Sequence, residues 1–293
     1  MNETVPITAD IGGPIAIVSG GGTLPFATAD AAMQRGRRAV LLALRGSADP
    51  ARVADYPHHW IAVGQIGRMC RLARQEGCRD MVFIGGLVRP TLGQLRFDLE
   101  TLRLLPRLAR IFRGGDGHFF RGIVGIFEER GFNVLGAHEV APRILMPEGT
   151  LGHRQPGATD LADIKRGLEF LRATGPFDVG QAVVIAQNRI LGVEAAEGTD
   201  HMLARFADVR RSGRIRIPVG TGVLVKAPKQ GQDRRIDLPS IGPKTIESAI
   251  NAGLNGIAVV AGSAIVAEPE RIAEMADRAN LFVAGVRDET APR

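Results

Sequence analysis

The segment from Lys226 to Thr245 holds the residues whose types and spacing are best suited to chemistry. Its twenty residues include five Pro or Gly, two carboxylates and five cations. If the chain runs extended here, Asp233, Arg235 and Asp237 project from one face, because the side chains of a strand repeat every two residues. Two such carboxylates can hold Mg²⁺ while waters and phosphate oxygens complete its octahedron. The segment therefore predicts a site for a divalent metal and a phosphorylated ligand.

The basic side chains of this segment suit the same chemistry. Lys226, Lys229 and Arg235 could neutralise the negative charge that builds up when a phosphorus–oxygen bond breaks. The alternative is a solvated loop in which the opposite charges only pair with one another at the surface. The density of Pro, Gly and charge favours the first interpretation.

Two glycine turns, each following a predicted strand, offer further contacts for phosphate. The first lies in Ser19–Pro25, between a strand and a helix, and the second is Gly85-Gly86. Glycine lets the backbone approach phosphate closely, and a helix N-terminus or a guanidinium adds positive charge. The alternatives are tight turns that need positive φ and an ordinary surface arginine. The predicted binding residues here are Gly20, Gly21, Gly22, Thr23, Gly85 and Arg89.

A predicted hairpin over 182–197 is flanked by polar residues. Gln181 precedes it, and Thr199 and Asp200 follow it as candidates for the N-cap of the next helix. Glu194 and Glu197 lie three residues apart, so within one strand they point to opposite faces. One of them would then enter a site while the other faces solvent. The alternative for this element is a purely structural turn.

These residues must be positioned by a chain that alternates strands with helices. Strands are predicted at 15–19, 38–44, 80–84, 133–136, 182–187, 190–197, 223–226 and 257–261. Helices are predicted at 25–35, 67–76, 94–113, 119–130, 160–174, 199–211, 245–252 and 268–280. Such alternation produces βαβ units and a parallel sheet. The hairpin is expected to turn at Asn188-Arg189.

Length and composition indicate two α/β domains. A chain of 293 residues is long for one core, and two domains of about 130 to 150 residues are expected. Residues 146–157 are rich in Gly and Pro, so the junction is placed there, with domains at 1–147 and 158–293. The single Trp and single Tyr suit α/β layering better than an aromatic-rich sandwich.

Charge, cysteine content and missing motifs exclude several classes of protein. The net charge of +6 favours an anionic partner, but the scarcity of stacking aromatics argues against nucleic acid. Cys70 and Cys78 form no CxxC motif, so reduced thiols in the cytoplasm are expected. Neither a signal peptide nor a membrane span is predicted. The histidines lack ligand spacing, and no GxSxG elbow occurs; the scattered histidines are His118, His138, His153 and His201.

The motifs also carry a family resemblance. The sequence resembles the LpxI-type UDP-2,3-diacylglucosamine pyrophosphatases of lipid A synthesis, in pieces that occur in the same order along most of the chain. The pieces are Gly20-Gly-Gly-Thr-Leu-Pro25, Gly85-Gly-Leu-Val-Arg-Pro90, Asp178-Val-Gly-Gln181, Glu194-Ala-Ala-Glu-Gly-Thr-Asp200 and Lys226-Ala-Pro-Lys-Gln-Gly-Gln-Asp-Arg-Arg-Ile-Asp-Leu-Pro-Ser-Ile-Gly-Pro243. The last two are long and specific. Leu87 departs from the pattern, because a Lys or Arg is expected before Val88.

The resemblance implies a fold and a reaction. It implies a Rossmann-like N-terminal domain with a parallel sheet, a distinct catalytic C-terminal α/β domain and a site between them. It also implies Mg²⁺-assisted attack of water on the α-phosphorus, which yields UMP and the lipid monosaccharide phosphate lipid X. An aspartate of the late motif is essential in that family; Asp233 is the best match here, and Asp237 is the next candidate.

The resulting site hypothesis joins both domains. The catalytic residues are Asp233, Asp237, Arg235 and Lys226, and Asp233 and Asp237 bind Mg²⁺. Glu194 or Glu197 helps to organise metal and water. The substrate-binding residues are Gly20, Gly21, Gly22, Thr23, Gly85, Arg89, Gln181, Glu194, Thr199, Asp200, Lys229 and Gln232.

The expected partners follow from this hypothesis. They are UDP-2,3-diacylglucosamine, lipid X and, transiently, the cytoplasmic face of the inner membrane; a homodimer is left open. A second hypothesis is a nucleotide-sugar or lipid-phosphate binding protein without turnover. A third, weaker one is an NADP-dependent enzyme that uses the first glycine turn and Arg45. The first turn lacks GxGxxG spacing, and no acidic residue ends the second strand to bind a ribose.

Overall fold

The computed structural model describes residues 12–86, 96–111, 116–229 and 232–288, and for 116–119 the backbone alone. Two compact units make up the chain. The first contains the residues up to Pro142 together with Asp233–Asp237, and the second contains Arg143–Gln232 and the residues from Leu238 onward. The short segment Asp233–Asp237 therefore belongs to the first unit although both of its neighbours in sequence belong to the second.

The first unit is built on a five-stranded parallel sheet. Its strands are β1 (Ile15–Ser19), β2 (Ala39–Leu44), β3 (His58–Ile61), β4 (Asp80–Ile84) and β5 (Asn133–Leu135), and its helices are α1 (Leu24–Gln34), α2 (Pro50–Val53), α3 (Ile66–Gln75), α4 (Leu99–Ile111), α5 (Asp116–Glu128) and α6 (Ala137–Val140). The strand order is β3-β2-β1-β4-β5. The order reverses between β1 and β4, and in open α/β sheets ligands bind beyond the carboxyl ends of the strands at such a point.

The second unit is built on a mixed sheet of six strands. These are β6 (Gly149–Leu151), β7 (Ala182–Ala186), β8 (Arg189–Val193), β9 (Val223–Lys226), β11 (Gly256–Val260) and β13 (Phe282–Val286), in the order β6-β13-β11-β9-β7-β8. A separate two-stranded pair joins β10 (Ser240–Ile241) to β12 (Ile265–Val266). The helices are α7 (Ala158–Thr174), α8 (Gly198–Arg211), α9 (Pro243–Asn251) and α10 (Pro269–Arg278). The strands β9, β11 and β13 are parallel, whereas β6, β7 and β8 pair antiparallel with their neighbours.

Apolar strands covered on both faces hold each unit together. In the second sheet, Val184 and Leu224 pack into one apolar cluster and Val183 and Val225 into another. Neighbouring strand residues point to opposite faces, so the two clusters lie on the two sides of the sheet. Gly167 brings α7 against Val225, since a Cβ there would lie 2.7 Å from Val225 Cγ2. The fold class of two α/β domains is confirmed.

Several local predictions need correction. The hairpin turns at Gln187-Asn188, both at positive φ, rather than at Asn188-Arg189. The Asp163 carboxylate accepts the N–H groups of Gln187 and Asn188 at 3.0 and 2.6 Å, so it fixes the turn from α7. The N-cap of α8 is Glu197, which puts Thr199 and Asp200 in the first helical turn instead of at the cap.

No helix among the described residues combines the length and the apolar character that crossing a membrane requires.

Candidate functional site

The two glycine turns lie side by side at the carboxyl edge of the first sheet. Gly20 donates its N–H to the Ile84 carbonyl at 2.9 Å. Gly21 and Gly86 exchange two backbone hydrogen bonds, at 2.7 and 2.9 Å. The turns after β1 and β4 therefore meet at the point where the strand order reverses. Arg89, predicted to assist there, lies outside the described residues.

Packing between the turns explains part of their glycine content. A Cβ on Gly20 would lie 2.6 Å from the Gly86 carbonyl oxygen, and one on Gly85 would lie 2.8 Å from that of Gly21. Gly22 is different, because its φ is +90° and, in the part of the chain that the structure describes, nothing lies within 4 Å of a Cβ there. Gly22, which directly precedes Thr23 at the N-cap of α1, is thus the position in this turn where the described residues leave room for a ligand.

Replacing Gly85 by Ala is expected to destabilise the first unit by about 2–4 kcal/mol, since the residue has φ +102° and faces backbone atoms of Gly20 and Gly21. The neighbouring substitution Gly86→Ala is the matched control, because no atom of the described residues lies within 4 Å of a Cβ there. Urea unfolding measures both variants. Equal stability of the two variants would contradict the close packing of the turns.

A connected group of polar side chains, here called the lysine cluster, lies at one edge of the second sheet. It consists of Gln181, Glu194, Thr199, Asp200 and Lys226. Ala182 pairs with Lys226 and Val183 with Val193, so the start of β7 and the ends of β8 and β9 meet at this edge. Sheet pairing thus brings together residues that are up to 45 positions apart in sequence.

Hydrogen bonds link four members of the lysine cluster, and the fifth, Asp200, acts on Lys226 through its charge. Lys226 Nζ donates to Thr199 Oγ1 at 3.0 Å and to the Ser240 carbonyl at 2.9 Å. Thr199 Oγ1 donates to Glu194 Oε1 at 2.8 Å, and the Gln181 N–H donates to Glu194 Oε2 at 3.0 Å. The hydroxyl of Thr199 therefore connects the buried ammonium to the buried carboxylate.

Burial dominates the electrostatics of the lysine cluster. Lys226 and Glu194 are both buried, since only 5% and 8% of their surfaces are exposed. Burial lowers the pKa of Lys226, while the nearby carboxylates of Glu194 and Asp200 act in the opposite direction. The cluster thus holds a positive group beside a hydroxyl in a poorly hydrated place, where its field on a nearby anion is stronger than in water.

Lys229 and Gln232 extend the lysine cluster. Gln232 Oε1 accepts the Lys229 N–H at 2.9 Å, and Gln232 Nε2 donates to Gln181 Oε1 at 3.4 Å. Lys229 Nζ pairs with Asp178 at 2.6 Å. The structure therefore joins most of the predicted substrate-binding residues of the second unit into one network. Asp200 instead pairs with Lys244 at 2.8 Å and acts on Lys226 only through its charge.

Glu194 and Glu197 have separate roles, as expected, but for a different reason. Strand β8 ends at Val193, so neither residue belongs to it. Glu194 is buried in the lysine cluster, whereas Glu197 pairs with Arg205 at 2.7 Å near the surface. The expectation of opposite faces of one strand is therefore wrong, although only one of the two carboxylates enters the network.

Asp233–Asp237, here called the Asp233 turn, is a helical turn instead of the expected extended segment. The Asp237 N–H donates to the Asp233 carbonyl at 3.1 Å. The Asp233 carboxylate accepts the Arg235 N–H at 3.1 Å, which stabilises the turn locally. The two-residue alternation predicted for Asp233, Arg235 and Asp237 is therefore wrong.

A bidentate ion pair dominates the Asp233 turn. Arg235 Nε and Nη2 donate to the two oxygens of Asp233 at 2.9 and 2.7 Å, and Arg235 Nη1 pairs with Glu128 at 2.6 Å. The hydrogen bond from Arg235 lowers the pKa of the Asp233 carboxyl. Ile236 anchors the turn by packing against the core of the first unit. Asp233 is thus held ionised and in a fixed orientation.

The donor set of the Asp233 turn limits how Mg²⁺ could be held. Among the described residues, no group of three His, Cys, Asp or Glu side chains is arranged to hold a metal ion. The Asp233 oxygens already accept hydrogen bonds from Arg235, although each has further lone pairs. Mg²⁺ commonly uses one or two carboxylates and completes its shell with waters and phosphate oxygens. Asp233 and Asp237 fit that mode and do not fit a cage built from protein ligands alone.

His138 is a residue near the Asp233 turn that pattern analysis did not select. A Cβ on Gly136 would overlap the His138 ring and would lie 3.2 Å from Arg235 Cα. Nδ1 of His138 is buried and has no hydrogen-bond partner among the described atoms. Burial is the main cause that lowers the pKa of this imidazole. The sequence does place His138 just after the predicted strand that corresponds to β5. That position could have indicated a role, because polar residues at the carboxyl end of a strand can line a site.

Comparisons with known proteins identify the family of this chain. Residues 14–144 match the model of the LpxI N-terminal domain, and residues 147–284 match that of the LpxI C-terminal domain. A protein of Caulobacter vibrioides named UDP-2,3-diacylglucosamine pyrophosphatase LpxI is 39% identical over 278 residues, which cover 95% of this chain and 99% of that protein. The resemblance found in the motifs is confirmed: the chain belongs to the LpxI family.

Proposed function

We propose that this protein hydrolyses the pyrophosphate bond of UDP-2,3-diacylglucosamine in lipid A biosynthesis. Water attacks the α-phosphorus, the bond from that phosphorus to the bridging oxygen breaks, and the bridging oxygen leaves with 2,3-diacylglucosamine 1-phosphate. The products are UMP and that lipid phosphate, lipid X. The observation that carries the proposal is the near full-length identity to the Caulobacter vibrioides protein of that name.

The geometry supports a division of roles. The glycine turns lie at the switch point of a sheet whose order β3-β2-β1-β4-β5 is that of Rossmann-like folds, so we assign them the nucleotide end. The lysine cluster offers a fixed cation for phosphate oxygens, and the Thr199 hydroxyl helps to hold that cation by accepting from Lys226 while it donates to Glu194. Asp233 and Asp237 are assigned to Mg²⁺, which when bound would supply positive charge to the phosphate oxygens. Gln232 and Asp233 are neighbours in sequence, so the lysine cluster and the Asp233 turn belong to one continuous motif.

Single-turnover hydrolysis in H₂¹⁸O tests the reaction and its direction of attack. Purified protein, Mg²⁺ and UDP-2,3-diacylglucosamine are expected to release UMP that carries the ¹⁸O, with unlabelled lipid X. Label in lipid X instead would place the attack on the β-phosphorus. Tight binding of the substrate without UMP release would favour the alternative of a binding protein without turnover.

Removal of the metal tests the cofactor separately. EDTA is expected to lower the rate of UMP release by at least about a hundredfold, and added Mg²⁺ is expected to restore it. Thermal unfolding recorded with and without EDTA serves as the control. A metal held by two carboxylates of one turn should contribute little to the stability of the fold, so the unfolding temperature should not change. An unchanged rate in EDTA would remove Mg²⁺ from the proposal.

A further inference from the structure

Helix α4 exposes a second apolar face in addition to the one that packs on the core. Thr101, Leu108 and Ile111 are buried against the first unit. Phe97, Leu99, Leu102 and Leu105 are 47%, 66%, 46% and 40% exposed. Single exposed apolar residues are ordinary, but four large ones within nine residues form a patch that calls for an explanation.

Two arginines border this patch, and its one internal carboxylate, Asp98, accepts the backbone N–H groups of Arg68 and Thr101. At 100° per residue, Arg103 and Arg110 lie beside Leu99 on the outward side of α4, and both are exposed. Neither forms an ion pair with a carboxylate in the described part of the chain. The one acidic residue of α4, Glu100, pairs with Arg130 at 3.0 Å, so its charge is neutralised by the protein.

We propose that the outward face of α4 docks the protein on an anionic lipid bilayer. This face is formed by Leu99, Leu102, Arg103, Leu105 and Arg110, together with Phe97 just before the helix. A helix with leucines and arginines on one side lies in the membrane interface, with the apolar chains among the acyl groups and the guanidinium groups at lipid phosphates. The proposal deepens the proposed function and rests on it, because a diacylated substrate resides in a bilayer.

Charge favours a lipid surface over a second copy of the chain. In a two-fold symmetric dimer each patch contacts itself, so Arg103 and Arg110 of both copies would be brought into one interface. Such like charges repel when water is excluded from between them. An anionic bilayer supplies the opposite charge and the apolar layer together.

Vesicle co-sedimentation tests the α4 surface. Wild-type protein is expected to bind vesicles of phosphatidylglycerol and phosphatidylcholine, and to bind pure phosphatidylcholine about tenfold more weakly. The variant Leu102→Ser/Leu105→Ser is expected to lose about tenfold or more in binding to the anionic vesicles. Arg103→Gln/Arg110→Gln should lose the preference for anionic lipid. Leu161→Ser is the matched control, because Leu161 is 51% exposed on a helix of the second unit.

Two outcomes would overturn the inference. One is equal vesicle binding by wild type and the Leu102→Ser/Leu105→Ser variant. The other is a dimer in size-exclusion chromatography that this variant abolishes without any change in vesicle binding, which would assign the patch to a second copy. Turnover of detergent-dispersed substrate separates this proposal from the proposed function. In detergent the Leu102→Ser/Leu105→Ser variant should hydrolyse the substrate at the wild-type rate. A wild-type protein without activity would refute the proposed function, but the vesicle-binding test would still be valid.

Discussion

The substitution Asp233→Asn is expected to lower the rate of UMP release by about 10²- to 10³-fold, the range found when one preorganised polar group is removed from an active site. The reason lies in the Asp233 turn. Arg235 fixes both carboxylate oxygens and keeps the pKa of Asp233 low, so the residue presents a full negative charge in one orientation. An amide has the same shape but cannot hold Mg²⁺ with that charge.

Asparagine also separates catalysis from folding. Its side-chain oxygen can still accept the Arg235 N–H, so the helical turn is kept. The Arg235 side chain is 32% exposed and retains Glu128, so the expected loss of stability is only about 1 kcal/mol. Asp233→Ala removes the charge and the cap together, and it should be as inactive and somewhat less stable.

Glu128→Gln is the matched control for Asp233→Asn. Glu128 pairs with the same guanidinium at 2.6 Å but is assigned no role in the reaction. We expect UMP release within about threefold of the wild-type rate, because the Arg235–Asp233 pair remains. If Asp233→Asn also stayed near the wild-type rate with its fold intact, Asp233 would be a structural cap and nothing more.

The central strands could be predicted from sequence, because their apolar runs are local. β1, β2, β9 and β11 are buried on both faces and were recognised as short apolar runs. No strand is predicted at β13, whose apolar run contains Gly285. A Cβ on Gly285 would overlap the Pro147 carbonyl. The need for glycine at position 285 therefore comes from Pro147, which is far away in sequence. The residues next to Gly285 do not indicate it.

The site was predictable in its members but not in its geometry. Lys226, Thr199 and Glu194 were selected from their motifs, but their contact depends on the pairing of β7 with its two neighbours. For the Asp233 turn, the predicted local structure itself was wrong. An alternating charge pattern suggested a strand, and a carboxylate that bonds its own backbone two residues on favoured a turn. Local side-chain hydrogen bonds of this kind are hard to weigh from composition and period alone.

Replacing Lys226 by Met is expected to lower the free energy of unfolding of the second unit by about 3 kcal/mol. The Lys226 ammonium makes two hydrogen bonds in a buried place, so its loss leaves the Ser240 carbonyl and the Thr199 hydroxyl without that donor. The buried Glu194 carboxylate also loses its nearby cation, and an uncompensated buried charge is costly. Hydrogen exchange of the β7 and β9 amides measures this unit without interference from the first.

A double-mutant cycle and a surface control make this prediction specific. Adding Glu194→Gln to Lys226→Met should recover at least about 1 kcal/mol, because the second change removes the charge that the first left unpaired. Lys229→Met breaks a pair with the exposed Asp178 and should cost less than about 1 kcal/mol. If Lys226→Met were as mild as Lys229→Met, the lysine cluster would not depend on its ammonium. Additive effects of Lys226→Met and Glu194→Gln would show instead that Thr199 does not couple the two buried charges.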